Sequence, residues 1–128
     1  MNPAEVVLRY FQVVADLGST QEALEDVLHP ALHVIERPNA MNPAGADRDR
    51  DAVVAGFLAG KELLTRQSID ILDLMTDGDR AAVRAIWRGT VQDGTELVAH
   101  VAAWLRVQDG RIVEHETFDC YEPFTPRS

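Results

Sequence analysis

The sequence predicts an α+β domain in which three helices from the first half pack on a curved antiparallel sheet built from the second. Three observations carry this. Apolar residues recur at helical spacing through three stretches of the first half. Asp-Gly pairs fall at Asp77-Gly78, Asp93-Gly94 and Asp109-Gly110, sixteen residues apart each time. Between those pairs apolar and polar residues alternate, as half-buried strands require.

The first helix spans Pro3 to Leu17. Val6, Val7, Tyr10, Phe11, Val13, Val14 and Leu17 form one broad apolar face. Pro3 sits in the first turn, where its missing N–H costs nothing, and Gly18 is placed to stop the helix. Ser19 or Thr20 can cap a second, short helix whose buried side is Ala23, Leu24, Val27 and Leu28, and His29-Pro30 ends it. Ala31 to Arg37 is a strand candidate. A loop from Pro38 to Asp51 follows, with the run Asp47-Arg48-Asp49-Arg50-Asp51 read as a solvated helix entry capped by an aspartate. The third helix is Ala52 to Leu64, with Val53, Val54, Phe57, Leu58 and Leu64 on its buried face. Gly56 and Gly60 allow a close approach.

Asp-Gly between β-like runs is a strong hairpin signal, and three at one interval predict a four-stranded meander of long strands. Strands this long twist, so the sheet curves. Ala81, Val83, Ala85 and Trp87 share one face of their strand and oppose Arg80, Arg84 and Arg88, which predicts a buried Trp87. On the next strand Leu97, Ala99, Val101, Ala103 and Leu105 oppose His100, Trp104 and Arg106. One sheet face is thus apolar and the other mixed. A curved sheet closed on one side by helices makes a cone with a cavity.

The 128 residues suit one domain with one core, residues 1–128. A net charge of −9 disfavours nucleic acid and anionic membranes, because both need positive patches. No apolar run is long enough to span a bilayer, so a cytoplasmic protein is expected. The single cysteine, Cys120, rules out an internal disulfide and reads as a buried, inert thiol. His29 and His33 are separated by Pro30 and give no helical metal pair, so neither a metal nor a cofactor is expected.

The last strand, from Gly110 to Phe124, holds the candidate chemistry. One face shows Ile112, Glu114, Glu116, Phe118 and Cys120, and the other shows Val113, His115, Thr117, Asp119 and Tyr121. Asp119 reads either as a carboxyl in an apolar pocket or as a cap on the turn before Pro123. His115 lies four residues from it, about 13 Å along a straight strand, too far for a direct hydrogen bond.

The element order, with Val-Leu-His-Pro-Ala-Leu at 27–32, Glu36-Arg37-Pro38-Asn39, Gln108-Asp109-Gly110-Arg111-Ile112-Val113 and Phe118-Asp119-Cys120-Tyr121-Glu122-Pro123-Phe124, resembles the SnoaL-like proteins of the nuclear-transport-factor-2-like (NTF2-like) superfamily. The resemblance implies a conical barrel, a pocket between sheet and helices, and frequent dimers. Arg9-Tyr10 is similar to the helix-one tyrosine region of ketosteroid isomerases, which implies Tyr10 as a phenol donor. The second acid of those isomerases falls on Ala103, which donates nothing, and the Arg-x-Asp pattern of limonene epoxide hydrolases is missing around residues 100–104. The acidic residue that polyketide cyclases use on the last strand falls on Asp119.

The resemblance also turns the Val113, His115, Thr117 and Asp119 face toward the cavity. Asp119 is then the acid/base, His115 a second polar group, and Phe11, Trp87, Thr117 and Glu36 the ligand-binding wall and mouth. Two functions follow. One is cofactor-free cyclisation, isomerisation or dehydration of a small apolar carbonyl or hydroxyl compound. The other is a non-catalytic ligand-binding or dimeric interaction domain. The mixed sheet face with His100 and Trp104 predicts a homodimer, and sedimentation showing only monomer at micromolar concentration contradicts it.

Overall fold

A computed structural model describes residues 1–125. Helix α1 spans Pro3–Ala15, with Asn2 Oδ1 accepting from the Glu5 N–H at 2.9 Å. It ends two residues before Leu17, where the Asp16 side chain turns back to accept from the Gly18 N–H. Helix α2, Gln21–Val27, is capped by Thr20. Strand β1, Leu28–Glu36, starts at once, three residues earlier than expected, because His29-Pro30 excludes further helix.

Two corrections follow. The expected loop contains a short strand, β2, Ala46–Asp49, paired antiparallel with β1. Its charged alternation hid it, since an edge strand with both faces polar carries no apolar signal. Asp49 ends it and caps α3, Arg50–Leu63, by accepting from the Ala52 N–H. The helices are therefore not all N-terminal to the sheet, because β1 and β2 separate α2 from α3.

The meander is as expected: β3 Leu64–Asp77, β4 Arg80–Val91, β5 Glu96–Gln108 and β6 Arg111–Tyr121. Its last turn places Asp109 at φ 54° and Gly110 at φ 71°, the left-handed pair that suits a two-residue hairpin. The six strands run in the order β2-β1-β6-β5-β4-β3. Here the expected antiparallel sheet needs correction, because β1 pairs with β6 in parallel and the sheet is mixed. Register shifts between Leu64 and Arg66 and between Ile71 and Asp73 add curvature to β3.

The core lies between the concave sheet face and the helices. Val6, Val7, Tyr10 and Phe11 of α1 meet Ala81, Val83, Ala85, Ala99, Val101, Ala103 and Leu105. Trp87 packs against this core on the expected face but is half-buried, because one side of its ring opens on a cavity. On α3 only Val54 is fully buried, and Leu58 is 41% exposed instead of inward. Nor do Gly56 and Gly60 mark a close approach. A Cβ at either would meet nothing within 4 Å, because both line open space. Cys120 also departs from expectation: it is exposed, on the convex face with Trp104 (56% exposed) and Phe118.

At the start of β6 strict alternation fails. Ile112 and Val113 are both buried. A register shift between Arg106 and Val107 sits opposite, and Leu28 of β1 lies beside Ile112. Beyond this point alternation resumes.

Candidate functional site

The space between α1, α3 and the concave sheet holds two adjoining lobes. The larger, about 330 Å³, is walled by α1 and α2 residues such as Val14 and Leu24, by Val34 and Glu36 of β1, and by Val53, Phe57 and Lys61 of α3. The smaller, about 200 Å³, is walled by Phe11, Ile69, Trp87, Thr117, Asp119 and Tyr121, among others. Tyr10, Val14 and His115 line both.

Tyr10 reaches both lobes because it shares the buried α1 face with Val6 and Val7. Its hydroxyl lies 2.9 Å from His115 Nδ1. Phe11 holds the imidazole from another side, edge-on with centroids 6.0 Å apart. Burial pushes the phenol pKa well above its ordinary 10. Burial also lowers His115 from 6.5 to about 4. At neutral pH both are uncharged, so the pair offers hydrogen bonds and not charge. With Tyr10 donating to Nδ1, the imidazole proton sits on Nε2, which is cut off from solvent and has no partner among the described residues.

This gives a testable pH dependence. Unfolded His115 takes up a proton as pH falls through about 6.5, whereas the folded site resists until about 4. The unfolded state thus binds more protons across that window, and stability falls as pH drops through it. Thermal melts at pH 7 and pH 5 should show a smaller acid-induced loss in His115→Gln than in the native protein. An equal loss in both contradicts this.

Asp119 is half-buried on the wall of the smaller lobe. Thr117 Oγ1 donates to its Oδ1 at 2.8 Å, and Oδ2 accepts no hydrogen bond among the described residues. Among the described residues no backbone N–H of the final turn bonds it, and the Glu122 N–H goes to the Val98 carbonyl. Burial raises the Asp119 pKa; the Thr117 hydroxyl opposes that, and the charge of Glu36 adds to it. Glu36 itself is held below the ordinary carboxylate range. Burial pushes it up, but hydrogen bonds from Asn39 and Arg48, both at 2.7 Å, outweigh that. The two carboxyls are therefore pushed in opposite directions, Glu36 toward its anion and Asp119 toward its neutral form.

The structure brings Tyr10, Phe11, Trp87, His115, Thr117 and Asp119 to the smaller lobe, with Glu36 on the wall of the larger. Sequence reasoning missed four residues. Tyr121 shares the inward face of β6 by simple alternation, and burial with the nearby Asp119 and Glu36 charges pushes its phenol up to about 12. Gln67 accepts from Trp87 Nε1 and donates to the Val14 carbonyl, both at 2.9 Å, tying α1 to the sheet. Arg48 was hidden in the charge run, and Lys61 in the polar end of α3.

Gly89 is part of the same arrangement. A Cβ there would collide with the Trp87 indole and lie 3.2 Å from Leu64 Cδ2. Gly89→Ala should displace the indole, break its bond to Gln67 and cost about 1–3 kcal/mol. Thermal melts and a shift in tryptophan emission check this; an unchanged melting point contradicts it.

A family model described as the SnoaL-like domain matches residues 7–115. Among solved structures, IdmH of Streptomyces antibioticus, a candidate polyketide cyclase, superposes with a TM-score of 0.75 at 23% identity, over 93% of this chain and 92% of its own. An NTF2-like protein of Burkholderia thailandensis gives 0.74 at 24% identity, over 93% and 91%. A SnoaL-like candidate polyketide cyclase of Jannaschia sp. CCS1 gives 0.72 at 18% identity, over 91% and 84%. No curated protein matches the sequence significantly. At such identities the solved structures establish the fold alone. Together with the family match across most of its length, they place the chain in the SnoaL-like domain family, with an NTF2-like fold.

Proposed function

We propose that the protein binds a small, largely apolar carbonyl or hydroxyl compound in the two adjoining lobes and catalyses cofactor-free proton transfer on it, as in cyclisation, isomerisation or dehydration. The observation that carries this is Asp119. It is a carboxyl among Phe11, Trp87 and Val101, with one oxygen fixed by Thr117 and the other unpartnered among the described residues. Such a group is a stronger base when ionised and is easily reprotonated, which suits a step that removes a proton and returns it. The candidate-cyclase descriptions of IdmH and the Jannaschia protein point the same way.

In this reading Asp119 takes a proton from a carbon beside the ligand carbonyl. The electron pair moves onto the carbonyl oxygen. The neutral Tyr10–His115 pair offers that oxygen a hydrogen bond from the phenol hydroxyl, when His115 Nδ1–H donates to the phenol oxygen. Asp119 then returns the proton to the product. His115, with its pKa near 4, is a poor proton store at neutral pH and serves as donor and anchor.

The test is exchange of α-protons of an aryl ketone in deuterated buffer, followed by proton NMR. The native protein should exchange them faster than buffer alone. A ligand that binds in the cavity without exchange above the buffer rate would favour the non-catalytic binding domain instead.

A further inference from the structure

The larger lobe holds a cation that the proton-transfer reading does not use. Lys61, the chain's only lysine, stands in the last turn of α3 on the wall of that lobe. Its Nζ lies 4.9 Å from the Phe57 ring centroid and donates to the Ser19 carbonyl. Among the described residues it has no carboxylate within ion-pairing distance. The other cation in the lobe, Arg48, is neutralised by Glu36 at 2.7 Å. Arg37, Arg50, Arg84, Arg88 and Arg106 are likewise matched with acids elsewhere.

The lobe therefore keeps one unit of positive charge inside a chain of net charge −9. An ammonium has three donors, and Ser19 takes one. The ring of Phe57 and the nearby helix end offset part of the cost of holding the charge against an apolar wall, and the remaining N–H groups want an acceptor. Val14, Leu24, Val53 and Phe57 supply a surface for an apolar body beside that charge.

We infer that Lys61 is an anion subsite that takes a single carboxylate of the ligand, whose apolar body fills the larger lobe and whose reacting end passes Tyr10 and His115 toward Asp119. The charge balance selects the class. One carboxylate neutralises the lobe, whereas a doubly charged phosphate would leave excess negative charge near Glu36. This inference rests on the reading that the cavity holds an apolar ligand, but not on the chemistry assigned to Asp119.

The test uses a hydroxynaphthoic acid and its methyl ester as probes, with binding measured by calorimetry at low ionic strength. The native protein should bind the acid roughly tenfold more tightly than the ester, as a partly desolvated ion pair allows. Lys61→Met should remove that preference by weakening the acid and leaving the ester unchanged. Lys61→Arg, which keeps the charge, should retain much of it and guards against a folding defect. An acid that binds no better than its ester, or a preference that survives Lys61→Met, overturns the subsite. Should the preference hold while Asp119→Asn still exchanges α-protons, the subsite stands and the catalytic reading falls. Failure of both probes to bind the native protein at millimolar concentration overturns the subsite together with the apolar-ligand reading.

Discussion

Asp119→Asn should lower α-proton exchange by about 10²–10⁴-fold while leaving the fold and ligand affinity in place. The substitution preserves shape, and the amide oxygen can still accept from Thr117 Oγ1, so the lobe keeps its wall. What it removes is the carboxyl of the smaller lobe, the group proposed to take a proton and return it. The stability effect has a definite sign. Burial raises the folded pKa of Asp119 above its unfolded value, so the stability linked to it is present at low pH and is lost as pH rises through the folded pKa. Above the folded pKa the ionised carboxylate is a burden, and there Asn should melt no lower than the native protein. Loss of folding with little change in chemistry per folded molecule is the opposite pattern, and it would return Asp119 to a structural role.

Ile112→Ala should cost about 2–5 kcal/mol and lower the melting temperature by many degrees. Ile112 is wholly buried, as is its parallel neighbour Leu28. Truncation leaves a void at the junction where β1 joins the meander, and dense surroundings collapse only partly into it. The residue lines neither lobe of the cavity, so activity per folded molecule should persist at low temperature. A cost under about 1 kcal/mol would mean that the local exposure of β6 is the reverse of that described.

Ile112 also shows where the sequence stops being legible. Alternation along β6 sorts His115, Thr117, Asp119 and Tyr121 onto one face, and that face lines the cavity. It also sets Ile112 against Val113, yet both are buried, because a register shift in the β5–β6 pairing is a long-range event with no local mark. The meander was readable because left-handed turn positions demand Asp-Gly and strand periodicity is local. The parallel β1–β6 pairing was not, since it joins residues far apart in sequence. Strand β2 was invisible for another reason: Asp47, Arg48 and Asp49 carry the charge pattern of a solvated loop.

The site divides along similar lines. Tyr10 and Asp119 are singled out in the sequence by a resemblance and by strand parity. The Tyr10–His115 bond joins residues 105 apart and needs the fold to be seen. Lys61 and Gln67 gave no signal because a polar residue facing a cavity looks in sequence like one facing water. The same ambiguity misassigned Gly56 and Gly60.

The proposed role of Asp119 is that of a proton-exchanging group in a ligand cavity. Its most direct test is a carbon-13 NMR titration of the side-chain carboxyls, with the Asp119 resonance identified by its loss in Asp119→Asn. The expected midpoint lies above the ordinary aspartate range and moves when an apolar ligand enters the cavity. A midpoint at or below that range, indifferent to ligand, would contradict it.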